Sequence, residues 1–279
     1  MQSMFSNSRF VIAGALALAS TFATAANLCA ERDVPEGARV LGLTRKVINL
    51  CPKVADIAPD DAPGKFKLWD GHWWDNNRSP RSTYSDGPDG LVMKPGGGLT
   101  SISPKDSSGT LPKLRGSHAF YVEFSTYQSG NDPDHWPAVW LLPIEHNGKQ
   151  DDRYPGDPDG FERWMELDVD EGGFTPGMLG TVHSWTGVYP DYKTERNPYQ
   201  ELGPKLDRTV PHTFAASYDP KTLKVVWYLD GKVFNEATAP FVPEVARKQN
   251  YYILLNNQTH GKNVPYEMTV RRVRAFVAP

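Results

Sequence analysis

The chain has 279 residues, 39% hydrophobic and 23% charged, and carries a formal charge of −3. That composition belongs to a globular protein and excludes a disordered chain or one built mainly of membrane spans. So small a charge, without a Lys/Arg cluster interleaved with aromatics, excludes a polyanion-binding field, and nucleic acid is not an expected partner.

In chain order, the first element is a targeting segment. A polar stretch containing Arg9 leads into the apolar run from Val11 to Ala19 and then to Ala23-Thr24-Ala25, the layout of a secretory signal peptide cleaved after Ala25. The apolar run is too short to span a bilayer comfortably, so no membrane association is expected. Residues 1–25 are therefore read as a signal peptide and the protein as secreted, extracellular or periplasmic. Cys29 and Cys51, the only two cysteines, then lie in an oxidising compartment and are expected to form a disulfide, with two free thiols as the alternative. No Cys/His set with zinc spacing accompanies them.

Residues 26–64, with Pro52, Pro59 and Pro63 and little periodicity, read as an irregular extension. From 65 to 279 the chain reads as one domain in which Gly, Pro, Asp and Asn punctuate short runs of Val, Tyr, Phe, Trp and Thr, the signature of strands. The predicted strands are Phe120–Ser125, Ala138–Leu142, Trp164–Val169, Met178–His183, His212–Ser217, Leu223–Leu229, Tyr251–Asn256 and Tyr266–Val277. Asp230-Gly231 predicts a hairpin returning through Lys232–Phe234. The only helical turn expected is near Pro243–Gln249. Short strands, frequent turns and no repeat predict an all-β fold, an antiparallel β-sandwich of the jelly-roll, concanavalin-like type with an open cleft.

The segment Arg163-Trp164-Met165-Glu166-Leu167-Asp168-Val169-Asp170-Glu171 carries the chemistry. Side chains alternate along a strand, so Met165, Leu167 and Val169 belong to an oily face and Trp164, Glu166 and Asp168 to an acidic one. Strict alternation turns Glu171 toward the core, where a carboxylate without a partner is costly. A β-bulge around Val169 and Asp170 adds one residue and returns Glu171 to the face of Glu166 and Asp168. Close like charges raise at least one pKa, leaving one group protonated and another ionised. Glycoside hydrolysis needs that division, one acid for the leaving oxygen and one carboxylate for the anomeric carbon. A solvated acidic face or a calcium site uses the same residues, and the short pattern alone leaves these readings open.

The neighbouring segments narrow the choice. Glu166 to Glu171 resembles the bulged active-site signature of glycoside hydrolase family 16, the laminarinases, lichenases, agarases and carrageenases. His135 to Pro143 is similar to the family's Trp-Pro-Ala-x-Trp-Leu-Leu-Pro strand, Gly180 to Trp185 to its Thr-Val-His strand, and Val226 to Gly231 to its Tyr-x-Asp-Gly hairpin. The family's early Trp-x-Asp-Glu-Phe strand is missing. The opening stretch Leu68 to Asp75 is unlike the laminarinase pattern, and Asn256 to Gly261 replaces its Gly-Gly ending, which puts the substrate in doubt. The resemblance implies Glu166 as nucleophile, Glu171 as acid/base and Asp168 as the carboxylate that tunes them. The implied reaction is double displacement with retention.

Sugars present apolar C–H faces on which indoles stack. Trp164, two residues from Glu166, is the first expected binding residue, joined by Trp136, Trp140, Trp185 and His183, each of which could instead be structural; Trp73 and Trp74 could close one end. Asp151, Asp152, Asp157 and Asp159 are read as solvated loop acids; a structural calcium there is possible but not predicted, since their spacing is not that of an EF-hand. No cofactor and no catalytic metal are expected. The expected protein is a monomeric endo-hydrolase of a β-1,3- or mixed-linked glucan. A galactan hydrolase of the agar or carrageenan type, a transglycosylase and a carbohydrate-binding sandwich without turnover are the alternatives.

Overall fold

The computed structural model describes residues 25–59, 66–74, 78–147, 152–173, 177–198, 206–261 and 265–279. The residues up to Thr24, which the sequence reading assigns to a signal peptide, and Asp151 lie outside the described residues. No helix among the described residues is long and apolar enough to cross a membrane.

Sixteen strands among these residues form two antiparallel sheets. In the first, β14 (Lys232–Ala237), β13 (Lys224–Leu229), β12 (His212–Asp219), β7 (Phe120–Gln128), β16 (Met268–Val277), β4 (Leu91–Met93) and β3 (Tyr84–Asp86) follow one another. β1 (Arg45–Leu50) also pairs with β16. In the second, the order is β11 (Lys193–Arg196), β10 (Thr181–Val188), β9 (Phe161–Glu171), β8 (His135–Pro143), β15 (Asn250–Thr259), β5 (Gly97–Thr100) and β2 (Trp69–Asp70), with β6 (Leu114–Arg115) beside β15. The all-β jelly-roll sandwich read from the sequence is the fold observed.

The sheets meet through their alternate residues. Phe120, Val122 and Phe124 of β7, Val273 and Ala275 of β16 and Trp227 of β13 face Val139 and Leu141 of β8, Met165, Leu167 and Val169 of β9 and Ile253 and Leu255 of β15 in one buried core. Burying such side chains stabilises by about 1.5–3 kcal/mol each. The oily face predicted for β9 is therefore the core face. Asp230 and Gly231 both take positive φ, 49° and 77°, as the two-residue turn joining β13 and β14 requires. The expected helical turn is a 3₁₀ turn, Glu244–Lys248, seated by buried Val242 and Ala246.

The extension departs from the irregular segment expected. It holds two short helices, Ala25–Ala30 and Glu36–Arg39, and β1, whose Asn49 and Leu50 pair with Arg274 and Val273. Its partner lies at the other end of the chain, and six residues with mixed polarity give no local sign of that pairing. Ala38 and Leu43 cover Tyr121, Ala215, Tyr228 and Phe276 on the outer face of the first sheet. Cys29 and Cys51 are joined by a disulfide, with Cα atoms 6.1 Å apart. Buried Arg274 ties the extension down by donating to Asp33 Oδ1 at 3.0 Å, and is itself held by Glu123 Oε1 of β7 at 2.5 Å.

Candidate active site

The bulge is where the sequence places it. Leu141 pairs with Leu167 and Trp140 with Asp168, yet Val139 pairs with Asp170 and Ala138 with Glu171, so Val169 is the additional residue. Val169 and Asp170 both leave the acidic face, Val169 into the core, and Glu171 rejoins Glu166 and Asp168. Asp170 is held by Arg208, whose Nη1 and Nη2 donate to its two oxygens at 2.6 and 2.9 Å. Glu171 N donates to Leu179 O at 3.0 Å and Gly172 N to Pro137 O at 2.8 Å, which fixes the far side of the bulge. From the opposite sheet, Trp227 Nε1 donates to the Asp168 carbonyl at 2.8 Å. Gly180 makes room for that indole: a Cβ there would stand 2.4 Å from the Trp227 ring.

Glu166, Asp168 and Glu171 line one cavity of about 340 Å³ with His72, Trp74, Trp136, Ala138, Trp140, Asn256 and Gln258. Each outer carboxylate has its own indole donor. Trp185 Nε1 donates to Glu166 Oε2 at 3.0 Å, and Trp136 Nε1 to Glu171 Oε1 at 2.9 Å. His183 pairs with Glu166 across β9 and β10, and its Nε2 lies 3.4 Å from Asp168 Oδ2. Burial, followed by the charge of Asp168, pushes Glu166 up to about 8, against the pull of His183 and the Trp185 N–H. Burial and Glu171 raise Asp168 well above the carboxylate range. Burial raises Glu171 too, while the Trp136 N–H, His183 and Arg196 draw it down.

The predicted binding residues divide into two groups. Trp136 and Trp140 line the cavity, Trp140 Nε1 donating to Asn256 Oδ1 at 2.7 Å. Trp185 and His183 reach the carboxylates from β10 without lining the cavity. Trp164 shares their face but not their exposure: with 5% of its surface open, it lies between His146, stacked at 3.5 Å, and Trp185, stacked at 5.7 Å. The open indole expected there is instead a buried support for Trp185. Trp74, 45% exposed, stacks on His72 at 4.6 Å and supplies an open ring.

His72, Asn256 and Gln258 were not singled out by sequence reasoning. The β15 residues had a signal, because Tyr252, Leu254, Asn256 and Gln258 share a parity opposite to core residues Tyr251, Ile253 and Leu255. His72, from the segment between β2 and β3, had none. Ligand atoms of Glu166, Asp168 and His183 lie within 4.8 Å of one another, a spacing that also admits a cation. Of the loop acids, Asp157 pairs with Arg163 and Asp159 is exposed, but Asp152 is fully buried, contrary to the solvated loop expected.

The class that these observations define is a two-sheet antiparallel jelly roll with a bulged acidic strand facing an indole-lined cavity, a fold like that of solved glycoside hydrolase family 16 structures. Comparison with solved structures bears on the particular relatives. The GH16 protein of the Bacteroides ovatus mixed linkage glucan PUL, in complex with its G4G4G3G product, matches with a TM-score of 0.50 at 16% identity, over 75% of this chain and 93% of that one. A glycoside hydrolase family 16 endo-glucanase from Bacteroides ovatus, in complex with G4G3G-2F-DNP, matches with a TM-score of 0.50 at 16% identity, over 70% and 85%. No family model and no curated protein matches the chain. At these identities the likeness is one of fold.

Proposed function

We propose that the protein is a secreted, monomeric endo-β-glycanase that cleaves a β-1,3- or mixed-linked glucan with retention. The observation that carries this reading is the Val169 bulge, which brings Glu171 to the cavity of Glu166 and Asp168 and gives each outer carboxylate an indole N–H. In this reading Glu166 attacks the anomeric carbon while Glu171 delivers its proton to the departing oxygen. Water, deprotonated by Glu171, then releases the glycosyl group from Glu166. Asp168, the most buried of the three, takes the proton that Glu166 gives up as it attacks and returns it once the glycosyl group has left Glu166. Trp74, Trp136 and Trp140 offer ring faces to the sugars. The glucan preference is supported by the two glucan-complexed structures of similar fold, and secretion by the signal-type N-terminus and the disulfide.

Reducing-end release from laminarin, lichenan, agarose and carrageenan tests the reading. Activity on laminarin or lichenan is expected, with β-anomeric product at early times by NMR and a loss of at least about 10³-fold in Glu166→Gln and Glu171→Gln. Activity confined to agarose or carrageenan overturns the glucan assignment alone. Binding without turnover by wild type on all four overturns the hydrolase.

A further inference from the structure

A second cluster of chemistry-bearing side chains lies against Trp164, and none of its members lines the cavity. It comprises His146 at the end of the 3₁₀ turn Ile144–His146, Asp152 from the loop that follows, and Glu162 near the start of β9. One ligand atom from each lies within 4.8 Å of the other two. Asp152 is 0% exposed and Glu162 3%, so two carboxylates are withdrawn from water at one point. His146 Nδ1 stands 2.8 Å from Asp152 Oδ2, and Asp152 Oδ1 meets no hydrogen-bond donor among the described residues. Glu162 accepts the Tyr192 hydroxyl and lies 3.4 Å from Arg153, whose side chain is 42% exposed.

Positive charge at this point is short. Buried carboxylates persist when paired or when they coordinate a metal, and a buried oxygen with no donor calls for an explanation. An imidazole and one half-exposed guanidinium leave Asp152 Oδ1 unanswered. We propose that His146, Asp152 and Glu162 bind a divalent transition metal of the zinc type, at a site separate from the carboxylates of the cleft. The donor set decides the class, because calcium and magnesium take oxygen shells whereas imidazole beside carboxylates suits zinc. Two tetrahedral ligands each about 2.1 Å from one zinc ion stand about 3.4 Å apart, so the His146–Asp152 pair, 2.8 Å apart without the ion, opens by roughly half an ångström to admit it. The ion ties His146 and Asp152 to β9 through Glu162. Because His146 stacks on Trp164 and Trp164 on Trp185, it also steadies the indole that donates to Glu166.

The test is a zinc titration of chelator-stripped protein, followed by calorimetry and by melting temperature. Wild type is expected to take up one equivalent with a rise in melting temperature. Asp152→Asn and His146→Gln each weaken uptake by at least about tenfold. Glu166→Gln, which disables the other cluster able to hold an ion, keeps it. No uptake by wild type overturns the site, as does uptake lost in Glu166→Gln but kept in His146→Gln. A calcium response equal to that of zinc overturns the metal class. If Asp152→Asn fails to fold, His146→Gln and zinc-edge absorption of the wild type, which reads an imidazole ligand directly, decide the matter.

Discussion

Glu166 shows how burial and neighbours set the chemistry. A carboxylate held near 8 is mostly protonated at neutral pH, so the acid limb of kcat/KM is expected well above 4.5, toward that value. The Trp185 N–H favours the ionised form. In Trp185→Phe the limb therefore moves to higher pH, by about one unit if the hydrogen bond contributes about 1–1.5 kcal/mol. An unmoved limb removes Trp185 from the nucleophile's support. The same shift governs stability. A carboxylate whose pKa is higher folded than unfolded binds protons more tightly in the native state, so stability is present below 4.5 and is lost as pH rises toward about 8. Melting temperature measured from pH 5 to 8 should fall for wild type and fall less for Glu166→Gln, which gains a few degrees at pH 8, at ~2–4 °C per kcal/mol.

On the scale of the strand, the bulge depends on a pair that the catalytic alternation does not reveal. Asp170 is turned off the acidic face and buried, and its charge is balanced by Arg208. Arg208→Met leaves that carboxylate uncompensated, a loss of about 3–5 kcal/mol, and is expected to lower the melting temperature by about 10 °C. Activity falls with it, because Glu171 is the next residue. Adding Asp170→Asn removes the stranded charge and restores much of the stability. A double variant no more stable than the single one places the cost elsewhere. β10 is tied to the same strand by side chains: Trp185 is directed at Glu166 and His183 at Asp168, so the two strands form one functional unit.

The whole molecule separates the surface that does chemistry from the one that is covered. Ala38 and Leu43 of the N-terminal extension cover the outer face of the first sheet, Ile48, Leu50 and Ile57 enter the core, and the carboxylates face outward from the second sheet. The Cys29–Cys51 link closes a span of 22 residues, for which chain entropy predicts about 3 kcal/mol. Replacing both cysteines by serine should therefore lower the melting temperature by about 6–12 °C and leave kcat on the polysaccharide unchanged below the transition. A fall in kcat at 25 °C would show that the extension reaches the cleft after all.

What the sequence alone determined is what short-range pattern encodes. Alternation in β9 separated Met165, Leu167 and Val169 from Glu166 and Asp168, the cost of burying Glu171 required the bulge, and Asp230-Gly231 marked its turn. Tertiary structure decided what depends on contacts between distant segments. It paired β1 with β16, sent Trp164 beneath His146 while leaving Trp74 open, brought Asn256 and Gln258 to the cavity, and buried Asp152 beside Glu162. The physical reason is that local pattern fixes which face a side chain takes, whereas exposure on that face depends on what the rest of the chain lays over it.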